Sequence, residues 1–227
     1  MKNVFSALLY KIIKSHKKMI IGTFLLFAVN INFILLYVGN SAGEAILHQL
    51  KTSLYTVYHF SFMMVLYNIF VNQVIRKEIN EKTICSYLIC PVHIREIWLS
   101  YGFITYIVSF VQYAFALLIA GIIFKIKYQI MLLPGVNEMN VGFIFMLLTF
   151  LLSFAFVYSL LFRGNAFLIN LLPIIAFLIM FNASRINLMS PHIIITAVIL
   201  CLGIIVFIYK VMKNINNEKF FLGIINN

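Results

Sequence analysis

Few residues in this sequence can do chemistry, and their spacing excludes more than it offers. There is no Asp, and the six acids are Glu44, Glu78, Glu81, Glu96, Glu138 and Glu218. All six fall between or beyond the long apolar runs, so no carboxylate pair can form inside a bilayer. That removes intramembrane aspartyl proteolysis and most carboxylate proton relays. None of the ten Gly residues is followed by Lys, so the chain has no phosphate-cradling P-loop and cannot hydrolyse ATP by that route. Cys85, Cys90 and Cys201 are too scattered for a disulfide framework, and no second pair completes a tetrahedral metal site with Cys85 and Cys90. No catalytic residue, cofactor or metal is expected in this chain.

Polar groups inside apolar stretches remain. His59 stands one helical turn from Phe62 and Met63. It is either a ligand or proton carrier, or a packed or cavity-facing histidine with no other ionisable group at its depth. Asn68 and Asn72 share a helix face at i,i+4 spacing, with Gln73 beside them. With Asn30, Asn32, Gln112 and Asn170 they either line a polar path or hydrogen-bond between helices, at about 0.6 kcal/mol each. The candidate pathway residues are Asn30, His59, Asn68, Asn72 and Gln112.

The elements that position these groups must be membrane helices. With 63% hydrophobic and 10% charged residues and a mean hydropathy of +1.04, most of the chain requires lipid as its solvent. Six apolar segments stand out, at about 19–39, 54–75, 101–124, 141–162, 166–182 and 193–209. Each is long enough to span hydrocarbon. The expectation is an all-α integral membrane protein with six transmembrane helices, in one domain over 19–212 with a tail over 213–227. The first run is of anchor length, so no cleavage is expected, although the small residues Ser41 and Ala42 keep a signal-peptide reading open.

Charge sets the orientation. The net charge of +11 arises from Lys and Arg lying between apolar segments, not from one basic face suited to nucleic acid. With the amino terminus inside, thirteen of the seventeen Lys and Arg are cytoplasmic, and only Lys51, Lys125, Lys127 and Arg185 are outside. Both termini are then cytoplasmic. Residues 1–18 place Val4, Phe5, Leu8, Leu9, Ile12 and Ile13 opposite Lys11, Lys14, Lys17 and Lys18, the pattern of an amphipathic helix in the membrane surface or else a basic tail that sets orientation.

The longest polar stretch is the loop over 76–100, RKEINEKTICSYLICPVHIREIWLS. Its pattern predicts an amphipathic helix from Glu78 to Leu88, with Ile84, Tyr87 and Leu88 available for docking. Pro91 ends it, and Val92 to Trp98 leads into the third membrane helix. A short helix joined rigidly to two spans transmits motion.

This stretch resembles the first cytoplasmic loop of type 2 ABC exporter permeases. Glu78, Thr83, Tyr87 with Leu88, Pro91 with Val92, and Glu96 with Ile97 match that loop in order and spacing, whereas Lys82 stands where the family has Gly and Cys85 where it often has Glu. The resemblance covers the whole chain as a plan and about 25 residues as a motif. It implies that the loop carries a coupling helix docking on a separate ATPase subunit, which binds the ATP. It also implies that two permease subunits, identical or different, form an outward pathway between them. Glu78, Thr83, Tyr87, Leu88, Pro91 and Glu96 would be the coupling residues.

Three functions are thus in play: the permease subunit of an ATP-driven exporter, an intramembrane enzyme built on His59 and the amides, and an accessory or substrate-capturing membrane protein with no ATPase partner. Walls rich in Phe, Ile, Leu and Met suit an amphipathic or hydrophobic cargo such as a peptide, an antibiotic or a lipid. The richness in Ile, Lys and Asn fits an AT-rich bacterial genome, and hence a bacterial cytoplasmic membrane.

Overall fold

The computed structural model describes residues 2–41, 53–81, 83–84, 92–129, 133–163 and 190–215, and every regular element among them is helical. Apolar runs of this length leave the backbone no partner but itself, and the helix satisfies each N–H and C=O within its own segment. Helix α1 spans Lys2–Ser41, with its helical dihedrals interrupted at His16 (φ −115°, ψ 19°), just before the apolar run begins. Ahead of that break Leu8 and Ile12 are buried and Lys14 is exposed, and Lys17 and Lys18 just after it are exposed too.

A second rod runs from Leu54 to Asn80. It consists of a π-helical turn at Leu54–Tyr58, α2 (His59–Phe70), a second π-helical turn at Val71–Ile75 and α3 (Arg76–Asn80). Then follow α4 (Ile94–Tyr128), α5 (Val136–Arg163) and α6 (Pro191–Asn214). Local chemistry sets the ends. Gln129 closes α4 in the left-handed conformation (φ 57°), its N–H on the Lys125 carbonyl. Pro191 opens α6 in its first turn, where a missing N–H costs nothing.

Four helices among the described residues are long and apolar enough to cross a membrane: Leu54–Asn80, Ile94–Tyr128, Glu138–Leu161 and Pro191–Asn214. They contain the expected segments 54–75, 101–124 and 193–209 and nearly all of 141–162. The rod and α4 run further than their apolar stretches because the helices continue through the polar residues Arg76–Asn80 and Ile94–Ser100. The expected span 19–39 lies within α1, and 166–182 lies outside the described residues.

Helix α4 is the hub, with α1, α2 and α5 packed around it. Gln112 on α4 donates to the Ile20 carbonyl (2.8 Å) and to the Thr23 hydroxyl (3.0 Å) of α1. Toward the start of both helices, Glu78 joins Lys11 to Tyr101, so α1 and α4 run parallel. The second rod is antiparallel to α4, since Tyr113 donates to the Leu54 carbonyl at one end and Tyr101 to Glu78 at the other. Helix α5 is also antiparallel to α4, with Trp98 donating to the Phe154 carbonyl (3.0 Å) and Tyr106 meeting Phe150 edge-on. Gly102 permits this approach, because a Cβ there would enter the Phe154 ring.

Helix α6 packs chiefly on α5. Cys201 clusters with Leu148 and Leu151, and Phe207 meets Tyr158, which makes α6 parallel to α5. Its other face leaves Ile199, Leu202 and Val206 more than half exposed, as a helix facing lipid does.

Candidate functional site: a buried acid at the loop root and a slot at the far end

Glu78 sits on α3 where the rod leaves the bundle, and it is 3% exposed. A carboxylate can be buried there because two partners meet it. Lys11 of α1 lies 3.0 Å from Oε1, and the Tyr101 hydroxyl of α4 donates to Oε2. Thr83 donates to the Glu78 carbonyl (3.2 Å), so two of the loop residues singled out from the sequence are brought together. Lys77 and Glu81 form an exposed i,i+4 pair at 3.7 Å that contributes little. His16, at the break in α1, feels the same charges. Its burial, and after it the Lys77 ammonium, hold its pKa below the ordinary 6.5.

The helix expected from Glu78 to Leu88 is arranged differently. Glu78 to Asn80 form the end of α3, and Glu81 closes that helix in a non-helical conformation (φ −78°, ψ 2°). Residues 83–84 are helical again, and Ile84 is fully buried, not available for docking. The physical reason is that Lys11 and Tyr101 draw Glu78 inward while Ile84 joins the apolar core. Tyr87, Leu88 and Pro91 lie outside the described residues. Glu96 stands in the first turn of α4, half-buried, where a negative charge meets the positive end of the helix dipole.

Among the described residues, Asn72 and Gln112 do not face a common path. Asn72 donates to Asn68 (2.7 Å) along its own helix, and Gln112 faces α1. The side chains of Asn30 and Asn32, and all of Asn170, lie outside the described residues. The space beside Gln112, Thr23 and Ser109 measures about 10 Å³, enough for one water molecule at most.

His59 faces elsewhere. It is wholly buried, its Nε2 lies 3.2 Å from the Thr149 hydroxyl of α5, and its ring stands edge-on to Tyr113 at 4.9 Å. It lines a slot of about 550 Å³ between the first π-helical turn, α4 and α5, bordered also by Tyr55, Leu117, Gly121, Lys125 and Met146. The sequence reading missed Lys11, Tyr101, Thr149 and Lys125. Tyr101 and Thr149 carry no local signal, because Tyr101 is 23 residues from Glu78 and Thr149 is 90 from His59. The Tyr113–Gly121–Lys125 stripe at helical spacing was visible in principle. No protein-family model, curated protein or solved structure matches this chain.

Proposed function

We propose that this chain is the membrane-spanning permease subunit of an ATP-driven ABC exporter. It works with a second permease subunit and a separate ATPase subunit that supplies ATP hydrolysis, and it moves an amphipathic or hydrophobic substrate outward across a bacterial cytoplasmic membrane. The observation that carries the reading is the Glu78 junction. One buried carboxylate ties α1, the second rod and α4 together at the root of the loop that resembles a coupling loop. A push on that loop therefore reaches three elements at once instead of being absorbed by a flexible linker.

The bundle geometry favours the six-span plan. Helix α1 is parallel to α4 with one antiparallel rod, Leu54–Asn80, between them in the chain, and α5 is parallel to α6. The amphipathic residues 4–15, bent from the apolar run at His16, suit a helix at the cytoplasmic surface. The enzyme reading gains nothing from His59, whose described neighbours are a hydroxyl and aromatic rings with no acid among them.

The test is uncoupling. Replacing Thr83, Tyr87, Leu88 and Pro91 together by Gly and Ser should leave insertion and detergent-extracted size unchanged while abolishing export by cells that depend on this chain. Undiminished export would refute the reading.

A further inference from the structure

The slot beside His59 is built like a ligand site. Its volume of about 550 Å³ falls within the roughly 300–1,000 Å³ of small-molecule pockets, and its two ends differ in chemistry. At one end is His59, packed against Tyr113. At the other is Lys125, twelve residues further along α4 and so about 18 Å away by helical rise. Between them the walls are apolar, and Gly121 holds the middle open: a Cβ there would meet nothing within 4 Å. Lys125 is exposed at the end of its helix, and no acid pairs with it among the described residues.

His59 supplies a specific demand. A threonine hydroxyl has one proton, and Thr149 gives its own to the Met146 carbonyl (2.9 Å). Thr149 therefore accepts from His59 Nε2–H at 3.2 Å. The Nδ1 atom is then a bare acceptor, and it is buried with no partner among the described residues. The Tyr113 hydroxyl is already taken by the Leu54 carbonyl.

We propose that this slot binds a single-chain anionic amphiphile, its head on Lys125, its hydrocarbon past Gly121, and a hydroxyl or amide N–H on the chain donating to His59. The site does not depend on the exporter reading: it belongs to the lone chain and needs no ATPase.

The experiment uses the purified full chain in a neutral maltoside detergent. Hexadecanoate, and the same acid carrying a terminal hydroxyl, are titrated by calorimetry and by native mass spectrometry. One saturable site is expected. Gly121→Leu, whose Cβ meets nothing within 4 Å, should weaken binding at least tenfold, and Lys125→Gln about tenfold. The terminal hydroxyl should strengthen binding several-fold in the unaltered chain and lose its advantage in His59→Phe. Lys125→Gln alters an exposed side chain and keeps the test decisive should Gly121→Leu fail to fold. Absence of saturable binding, as when another segment or a second copy fills the slot, overturns the proposal. So does unchanged affinity in Lys125→Gln or in a folded Gly121→Leu. A hydroxyl that makes no difference overturns the role of His59. Export by cells is not measured here, so failure of this site and failure of the exporter reading are separate results.

Discussion

The two ends of the bundle solve the problem of polar groups in an apolar chain in opposite ways. At the Glu78 end, the acid, Lys11 and Tyr101 meet one another, and Trp98 fills the space against Phe154 and Tyr158. At the Lys125 end, among the described residues, the cation has no acid beside it, one histidine nitrogen is unmatched, and a slot stays open. Polar groups that satisfy each other fix helices in place, whereas unmatched groups around a cavity leave interactions for a ligand to complete. The first arrangement suits transmission of force and the second suits recognition.

The contrast can be broken most sharply at Glu78. Glu78→Ala should lower stability by about 3 kcal/mol, because it removes the buried acid that both Lys11 and the Tyr101 hydroxyl meet. Thermal unfolding of the purified chain in detergent measures this, and a loss below about 0.5 kcal/mol would deny the junction its role. Glycines give a matched pair. Gly102→Val should cost about 2 kcal/mol by driving into the Phe154 ring. Gly121→Ala, pointing into open space, should instead raise stability by up to about 1 kcal/mol through helix propensity. Equal effects at the two sites would erase the difference between tight and open ends.

Smaller effects sharpen the picture. Gln112→Leu removes the tie between α4 and α1 and should cost about 0.6 kcal/mol. His16 gives a pH signature. Its folded-state pKa lies below 6.5, so the folded chain binds fewer protons than the unfolded one near that value. Its contribution is fully present above pH 6.5 and declines as pH falls below it, as a new charge forms beside Lys77 and Lys11. A His16→Gln variant should lack that part of the acid sensitivity in melting curves recorded across the same range.

Much of the fold was legible in the sequence. Apolar runs at 54–75, 101–124, 141–162 and 193–209 mark helices that are long and apolar enough to span, because length and hydrophobicity alone determine that property. The ends were less legible. Arg76–Asn80 and Ile94–Ser100 are polar enough to read as loop, yet the helices continue through them because buried partners such as Ile97 and Trp98 hold the polar turns in place. Glu78 was singled out by its place in a motif, but its burial could not be foreseen, since that depends on Lys11 and Tyr101 arriving from helices far away in the chain. His59 was visible as a lone histidine. The slot beside it was not, because a cavity is created by what three helices fail to fill.

The central claim is a partnership with an ATPase through the loop over 76–100. It is tested most directly by purifying the tagged chain from its native host in mild detergent and identifying its companions by mass spectrometry. The account predicts a soluble P-loop ATPase in stoichiometric amount, lost when Thr83, Tyr87, Leu88 and Pro91 are replaced. The chain recovered alone, or an ATPase that stays bound after the loop is replaced, would contradict it.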